Sequence, residues 1–221
     1  MNATKEAAEY TANTPRSLAQ TEQRWYCSDN GQSIVYNTPG ETGQLLDASQ
    51  GKLPDYQGTC GIVSCVNVLR LAGRLTTTEE ELVRYASTAA SETGPLCVCG
   101  KTPLRNGGTC PDARKELLSA FGVESELLPP SIDRIAEYVE AGRGVIVSVD
   151  AGKLWRRPRF YRCLHAVTVT SVQRSRDGSL EGFYLCDSGT SGTDCAHFYS
   201  AAHLKQALSP RMMNVTASVI R

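Results

Sequence analysis

The segment of this chain best suited to covalent chemistry is Gln57-Gly-Thr-Cys-Gly-Ile-Val-Ser64, where a cysteine stands between a glycine-rich loop and the first turn of an apolar helix. The thiolate is the nucleophilic form of cysteine, and a free thiol with a pKa of ~8.5 is mostly protonated at neutral pH. A helix start favours the thiolate, because its unpaired N–H groups and partial positive charge face the sulfur. The same N–H groups can hold an oxyanion, so Cys60 is read as nucleophile and its own N–H as one oxyanion donor. Gly58 and Gly61 carry no side chains, and together they outline a substrate cleft that a peptide backbone can approach closely. Such a nucleophile needs a base, and the chain has three histidines. His165 follows Arg162-Cys-Leu164 and opens a strand, a rigid place for an imidazole. His197 falls in a later strand and His203 on a helix. A base needs an orienting acceptor in turn. Asp187, in Tyr184-Leu-Cys-Asp-Ser-Gly189, ends the strand after that of His165, and a hairpin between the two would bring the pair together. Asp194, in a Gly-Thr-Asp loop, is the reserve acceptor.

The elements that must position these groups are legible from pattern. Residues 1–22 are polar and read as an arm or tether, and 23–221 as one domain. Asn30-Gly31 between two aromatic or β-branched runs signals a hairpin. Residues 37–58 form a Gly/Pro-containing loop. Ile62, Val63, Val66 and Leu69 make an apolar helical face over 60–72, stopped by Gly73. Thr77 or Thr78, with Glu three places on, caps a second helix reaching about 90. A Gly/Cys/Pro-rich loop fills 91–110. Thr109-Cys-Pro111 opens a third helix ending at Gly122, and 131–141 forms a fourth. Strands follow at 145–149, 164–172, 182–186 and 197–199, with Asp177-Gly178 as a turn. A helix near 201–208 and a strand near 213–220 complete the chain. Helices first and antiparallel strands second predict an α+β fold with segregated layers.

Bulk composition narrows the function. Twenty-three basic and 23 acidic residues cancel, so no basic surplus points to nucleic acid. Apolar runs such as Gly144–Val149 fall far short of the ~20 residues a membrane span needs. The N-terminus has no apolar signal core, which predicts a cytoplasmic location in the producer, with export by a signal-independent route, or a chain cut from a longer one. Nine cysteines is an odd count, and with no signal peptide the expectation is mostly reduced thiols.

The cysteine at a helix start, the histidine opening a strand 105 residues on and the aspartate ending the next strand resemble the papain-like cysteine peptidases. The closer resemblance is to their compact bacterial branch, the double-glycine leader peptidases of bacteriocin exporters and the papain-fold toxin domains of polymorphic toxins. It is carried by Gln57-Gly-Thr-Cys-Gly61, Gly108-Thr109, Leu164-His-Ala-Val167 and Leu185-Cys-Asp-Ser188, and spans roughly 50–190. It implies a helical lobe whose nucleophile helix packs on a C-terminal antiparallel sheet. It also implies acyl transfer from a protein substrate through a thioester to water, with Cys60, His165 and Asp187 as the triad and no cofactor. The toxin branch further implies delivery into a target cell and an immunity protein as partner. The family places its oxyanion glutamine five or six residues before the nucleophile. Here Gln57 is three before and Gln50 ten before, and Gln57 is the assignment.

Other constellations admit other readings. Cys65, five residues into the nucleophile helix, reads as core. Cys97, Cys99, Cys110, Cys195 and His197 could form a metal site, but Cys-x-Cys is tighter than structural zinc spacing, and loop thiols or a disulfide are the expectation; no metal is assigned. Lys153-Leu-Trp-Arg-Arg-Pro-Arg159 is a basic run whose simplest reading is a solvated loop. Its Trp155 could instead border the substrate cleft or anchor an acidic partner. Two rival functions remain: a glutamine deamidase or transglutaminase using the same three residues, and a non-catalytic, zinc-holding interaction module.

Overall fold

The computed structural model describes residues 25–27, 32–37, 46, 49–88, 90–91, 94–95, 108–158, 163–189 and 195–220. The Asn30-Gly31 turn, Cys97, Cys99 and Asp194 lie outside them, although the strands flanking that turn do pair: β1 (Trp25–Cys27) runs antiparallel to β2 (Ser33–Tyr36).

The helix α1 (Cys60–Leu71) begins and ends where its apolar face requires. Thr78 Oγ1 accepts the Glu81 N–H at 3.2 Å at the head of α2 (Glu79–Thr88). The 91–110 loop contains a two-residue ladder, β3 (Ala90–Ser91) with β4 (Gly94–Pro95). Pro111 opens α3 (Pro111–Ala120), with Cys110 as its cap. Between α3 and α4 (Ile132–Glu140) the chain forms β5 (Ser125–Leu128), a strand absent from the sequence reading. Next come β6 (Arg143–Asp150) and a one-turn helix α5 (Ala151–Leu154), where the basic run had been read as loop. Asp150 Oδ1 accepts the Gly152 and Lys153 N–H groups, which is what makes that turn helical. Then follow β7 (Leu164–Ser175), β8 (Leu180–Cys186), β9 (His197–Ser200), α6 (Ala201–Ala207) and β10 (Met213–Val219).

One antiparallel sheet holds all but β3 and β4, in the order β1-β2-β7-β6-β10-β5, with β8 on the other side of β7 and β9 outside it. β7 is long enough to pair with β6 along 164–169 and with β2 along 172–175. Strict alternation along β6 explains its almost unbroken apolar run. Val145, Val147 and Val149 join a core shared with α4 and α6, whereas Ile146 joins a second core under α1, α2 and α3. The expected helical lobe, α1 to α3, packs on one face of the antiparallel sheet, and α4 and α6 cover the other face in an α+β fold. No helix among the described residues is long and apolar enough to cross a membrane.

Candidate active site

Cys60 is the first residue of α1, and Thr59, its N-cap, makes no side-chain capping bond. The Thr59 hydroxyl instead donates to Glu79 Oε1 at the start of α2, and accepts the Gly51 N–H at 2.9 Å. Glu79 Oε1 also accepts the Gly51 N–H at 2.9 Å. A buried carboxylate thus fixes the loop that delivers the nucleophile. The first-turn N–H groups of α1 have no partner within the helix and point toward the thiol end.

His165 and Asp187 are joined as their strands require. Val149 pairs with His165 across β6–β7, while Thr168 pairs with Cys186 across β7–β8, so the start of β7 lies beside the end of β8. His165 Nε2 is 2.7 Å from Asp187 Oδ1, with the two side chains 5% and 1% exposed as residues. This leaves Nδ1 for the thiol of Cys60. Burial alone would push the Cys60 thiol up, but the His165 ring, the Ala166 backbone and Arg114 outweigh it, and its pKa falls. Burial would likewise lower His165, yet Asp187 and Cys60 push it up to about 9. The two shifts run in the directions that favour a thiolate on Cys60 and a proton on His165. Burial also opposes ionisation of Asp187, and His165, Trp155 and the Gly189 N–H reverse that effect, so its pKa is lowered.

Trp155 was a cleft or partner-anchor expectation, and the structure puts it to another use. Its Nε1–H donates to Asp187 Oδ2 at 2.7 Å, and its ring lies 5.3 Å from that of His165. Gly189 donates its N–H to Asp187 Oδ1 at 3.0 Å. A Cβ at Gly189 would lie 2.7 Å from Trp155 and 2.9 Å from His165, so only glycine lets the indole close over the pair. An indole N–H is always a donor, and a buried acceptor needs one. That consideration was the available signal in the sequence, but the basic neighbours of Trp155 drew the reading toward the surface.

The remaining expected residues are placed as follows. Gly61 packs against α3 rather than opening the cleft: a Cβ there would lie 1.7 Å from Thr109 Oγ1. Gly58 is half-buried in the loop before Cys60. Gln57 is exposed and its amide turns toward the Leu53 and Pro54 carbonyls, at 3.5 Å each. Gln50 bridges the two halves of the site. Its backbone N–H donates to the Ser188 carbonyl at 3.2 Å, its Oε1 accepts from Ser188 Oγ at 3.1 Å, and its Nε2 donates to the Gln57 carbonyl at 3.1 Å. Cys65 is buried core, as expected. The other histidines sit elsewhere: His203 against the Lys153 carbonyl and His197 against the Tyr199 ring.

The expectation of mostly reduced thiols needs one correction: Cys186, just before Asp187, is disulfide-bonded to Cys195. That bond also removes Cys195 from any metal set. Among the described residues no three His, Cys, Asp or Glu side chains cluster to hold a metal ion.

No family model matches the sequence, and no curated protein does. The fold does have relatives among solved structures. A candidate C39-like peptidase from Bacillus anthracis superposes with a TM-score of 0.58 at 15% identity, covering 81% of this chain and 97% of that one. A double-glycine motif protease from an AMS/PCAT transporter, solved with its leader peptide, gives 0.43 at 14% identity over 77% and 89% of the two chains. The peptidase domain of Streptococcus ComA, a bifunctional transporter in quorum sensing, gives 0.45 at 15% over 77% and 97%. The chain shares the α+β fold of that C39-like peptidase.

Proposed function

We propose that this protein is a cysteine peptidase acting on a protein substrate through Cys60, His165 and Asp187. The observation that carries this reading is a buried His165 imidazole with the Asp187 carboxylate 2.7 Å from Nε2 and the helix-start Cys60 thiol interacting with the same ring. Cys60 Sγ attacks the scissile carbonyl carbon, and the oxyanion is held by the N–H groups at the start of α1. His165 delivers its proton to the leaving amine, leaving a thioester on Cys60. It then takes a proton from water, which attacks the thioester and releases the acid. Asp187, fixed by Trp155 and Gly189, holds the imidazole in one orientation throughout. A side-chain amide as further oxyanion donor is assigned to Gln57 by sequence, while Gln50 is the glutamine tied to Ser188 beside Asp187.

A glutamine deamidase or transglutaminase would use the same atoms, with ammonia as the leaving group. The resemblance to papain-fold toxin domains extends the reading to an antibacterial effector countered by an immunity protein. The test is intact mass after brief iodoacetamide treatment at pH 6, comparing the native chain with His165→Ala. Rapid single labelling at Cys60 that disappears in the variant supports the Cys–His pair, and equal labelling of all free thiols refutes it. With a protein substrate, new chain termini favour peptidase action, and ammonia release without cleavage favours the deamidase.

A further inference from the structure

Arg114, on α3, is 1% exposed, the largest side chain among the described residues buried to that degree. One nitrogen, NH2, donates to Ser148 Oγ at 3.0 Å. Its Nε and NH1 are buried with no hydrogen-bond partner among the described residues, and no described carboxylate forms an ion pair with it. A cation is rarely buried without a counter-charge, since removing it from water costs several kcal/mol. Its stem lies against the head of the nucleophile helix: Arg114 Cδ is 3.3 Å from where a Cβ on Gly61 would sit. Its carbonyl accepts from Cys65 Sγ, one turn further along α1, at 3.8 Å. The titratable groups that face it are the thiols of Cys60, Cys65 and Cys110, with Arg211 as the other cation.

The charge balance of the site supplies the missing partner. A Cys60 thiolate, a protonated His165 and an ionised Asp187 sum to one net negative charge in a buried place. Arg114 brings that sum to zero. We propose that Arg114 is a positioning residue for the cysteine chemistry: a fixed buried cation beneath the first turn of α1 that serves as counter-charge to the Cys60 thiolate. The inference rests on the peptidase reading above. Arginine suits the role because it does not lose its proton in proteins. The same charge steadies the oxyanion that inherits the negative charge of the thiolate during attack. Cys65, whose thiol also faces Arg114, does not compete, because full burial pushes its thiol up to about 12.

The test is the pH profile of Cys60 alkylation by iodoacetamide in the native chain, R114M and R114K, each checked for folding by circular dichroism and melting. R114M is expected to move the acid inflection upward by about one unit, so that labelling at pH 6 falls about tenfold. R114K, which keeps the charge but not the guanidinium bond to Ser148, is expected to keep most of the native reactivity. A folded R114M with the native inflection overturns the role of Arg114 while leaving the Cys60–His165 pair intact. Should R114M not fold, R114K decides: a native profile supports the charge, and a loss of low-pH labelling in folded R114K overturns it. If native Cys60 labels no faster than Cys163, the peptidase reading fails first, and Arg114 with it.

Discussion

Replacing Trp155 by Phe removes the indole N–H and leaves a smaller aromatic ring beside His165. What is lost is the 2.7 Å indole N–H donated to Asp187 Oδ2. A hydrogen bond to a charged group contributes about 1.5–3 kcal/mol, and its loss in a buried place falls toward the upper half of that range. For a chain of this size, about 2 kcal/mol lowers the melting temperature by roughly 4–8 °C. The bond favours the ionised carboxylate, so the variant should also raise the Asp187 pKa. With its folded pKa depressed, Asp187 contributes stability that is present above its unfolded value and lost as pH falls through the folded one. In W155F that acid-side loss should be smaller and complete at a higher pH. Melting curves from pH 3 to 8 measure both effects, and steady-state kinetics supply a third. A residue that positions the base lowers kcat, whereas a cleft residue that only binds substrate raises KM with kcat unchanged. Native melting and a native acid limb, together with a pure KM effect, would refute the positioning role and return Trp155 to the substrate cleft.

Activity against pH should be bell-shaped, with an alkaline limb near 9 as His165 loses its proton and an acid limb below the free-thiol range as Cys60 gains one. The stability contributed by His165 has the opposite sense to that of Asp187. Its folded pKa is raised, so this stability is complete below about 6.5 and lost as pH rises through about 9, which alkaline melting curves would register. Gly61→Ala should cost about 1–3 kcal/mol by overpacking, since its Cβ would fall 1.7 Å from Thr109 Oγ1, and Thr109→Ala in the same chain should recover part of that in chemical denaturation. Reducing the Cys186–Cys195 bond, which spans nine residues, should cost about 2–3 kcal/mol. The measurement is melting with and without a phosphine reductant, and an unchanged midpoint would refute it.

Local signals carried far in this chain where the structure is local. α1 could be read from its apolar face, and α3 from Pro111 and its cap, because both depend on neighbours within one turn. β5 could not. Ser125-Glu-Leu-Leu128 has no clear alternation, and its partner is β10, some 90 residues away in the chain. α5 is four residues long and exists because Asp150 caps it, so the basic run that surrounds it concealed an indole aimed inward. The approach of His165 to Asp187 was legible because the hairpin of β7 and β8 restricts the places. The pairing of Cys186 with Cys195 was not, since nine cysteines permit many pairings and only tertiary structure selects one.

What escapes a linear reading most completely is the support around the reacting groups. Thr59 precedes the nucleophile and Ser188 follows the orienting carboxylate, 129 residues apart in the chain. Yet both are held by one short loop: Gly51 reaches Thr59 and Glu79, and Gln50 reaches Ser188. Neither Gln50 nor Glu79 has a spacing that announces it, because each is selected by what it must satisfy in three dimensions. Glu79 is buried, so it must meet donors, and it meets the Gly51 N–H and the Thr59 hydroxyl, both of which would otherwise need partners. The loop before Cys60 is therefore held by polar groups at the start of α2 and beside Asp187. A glutamine ten residues before the nucleophile can matter as much to that geometry as one at the expected spacing.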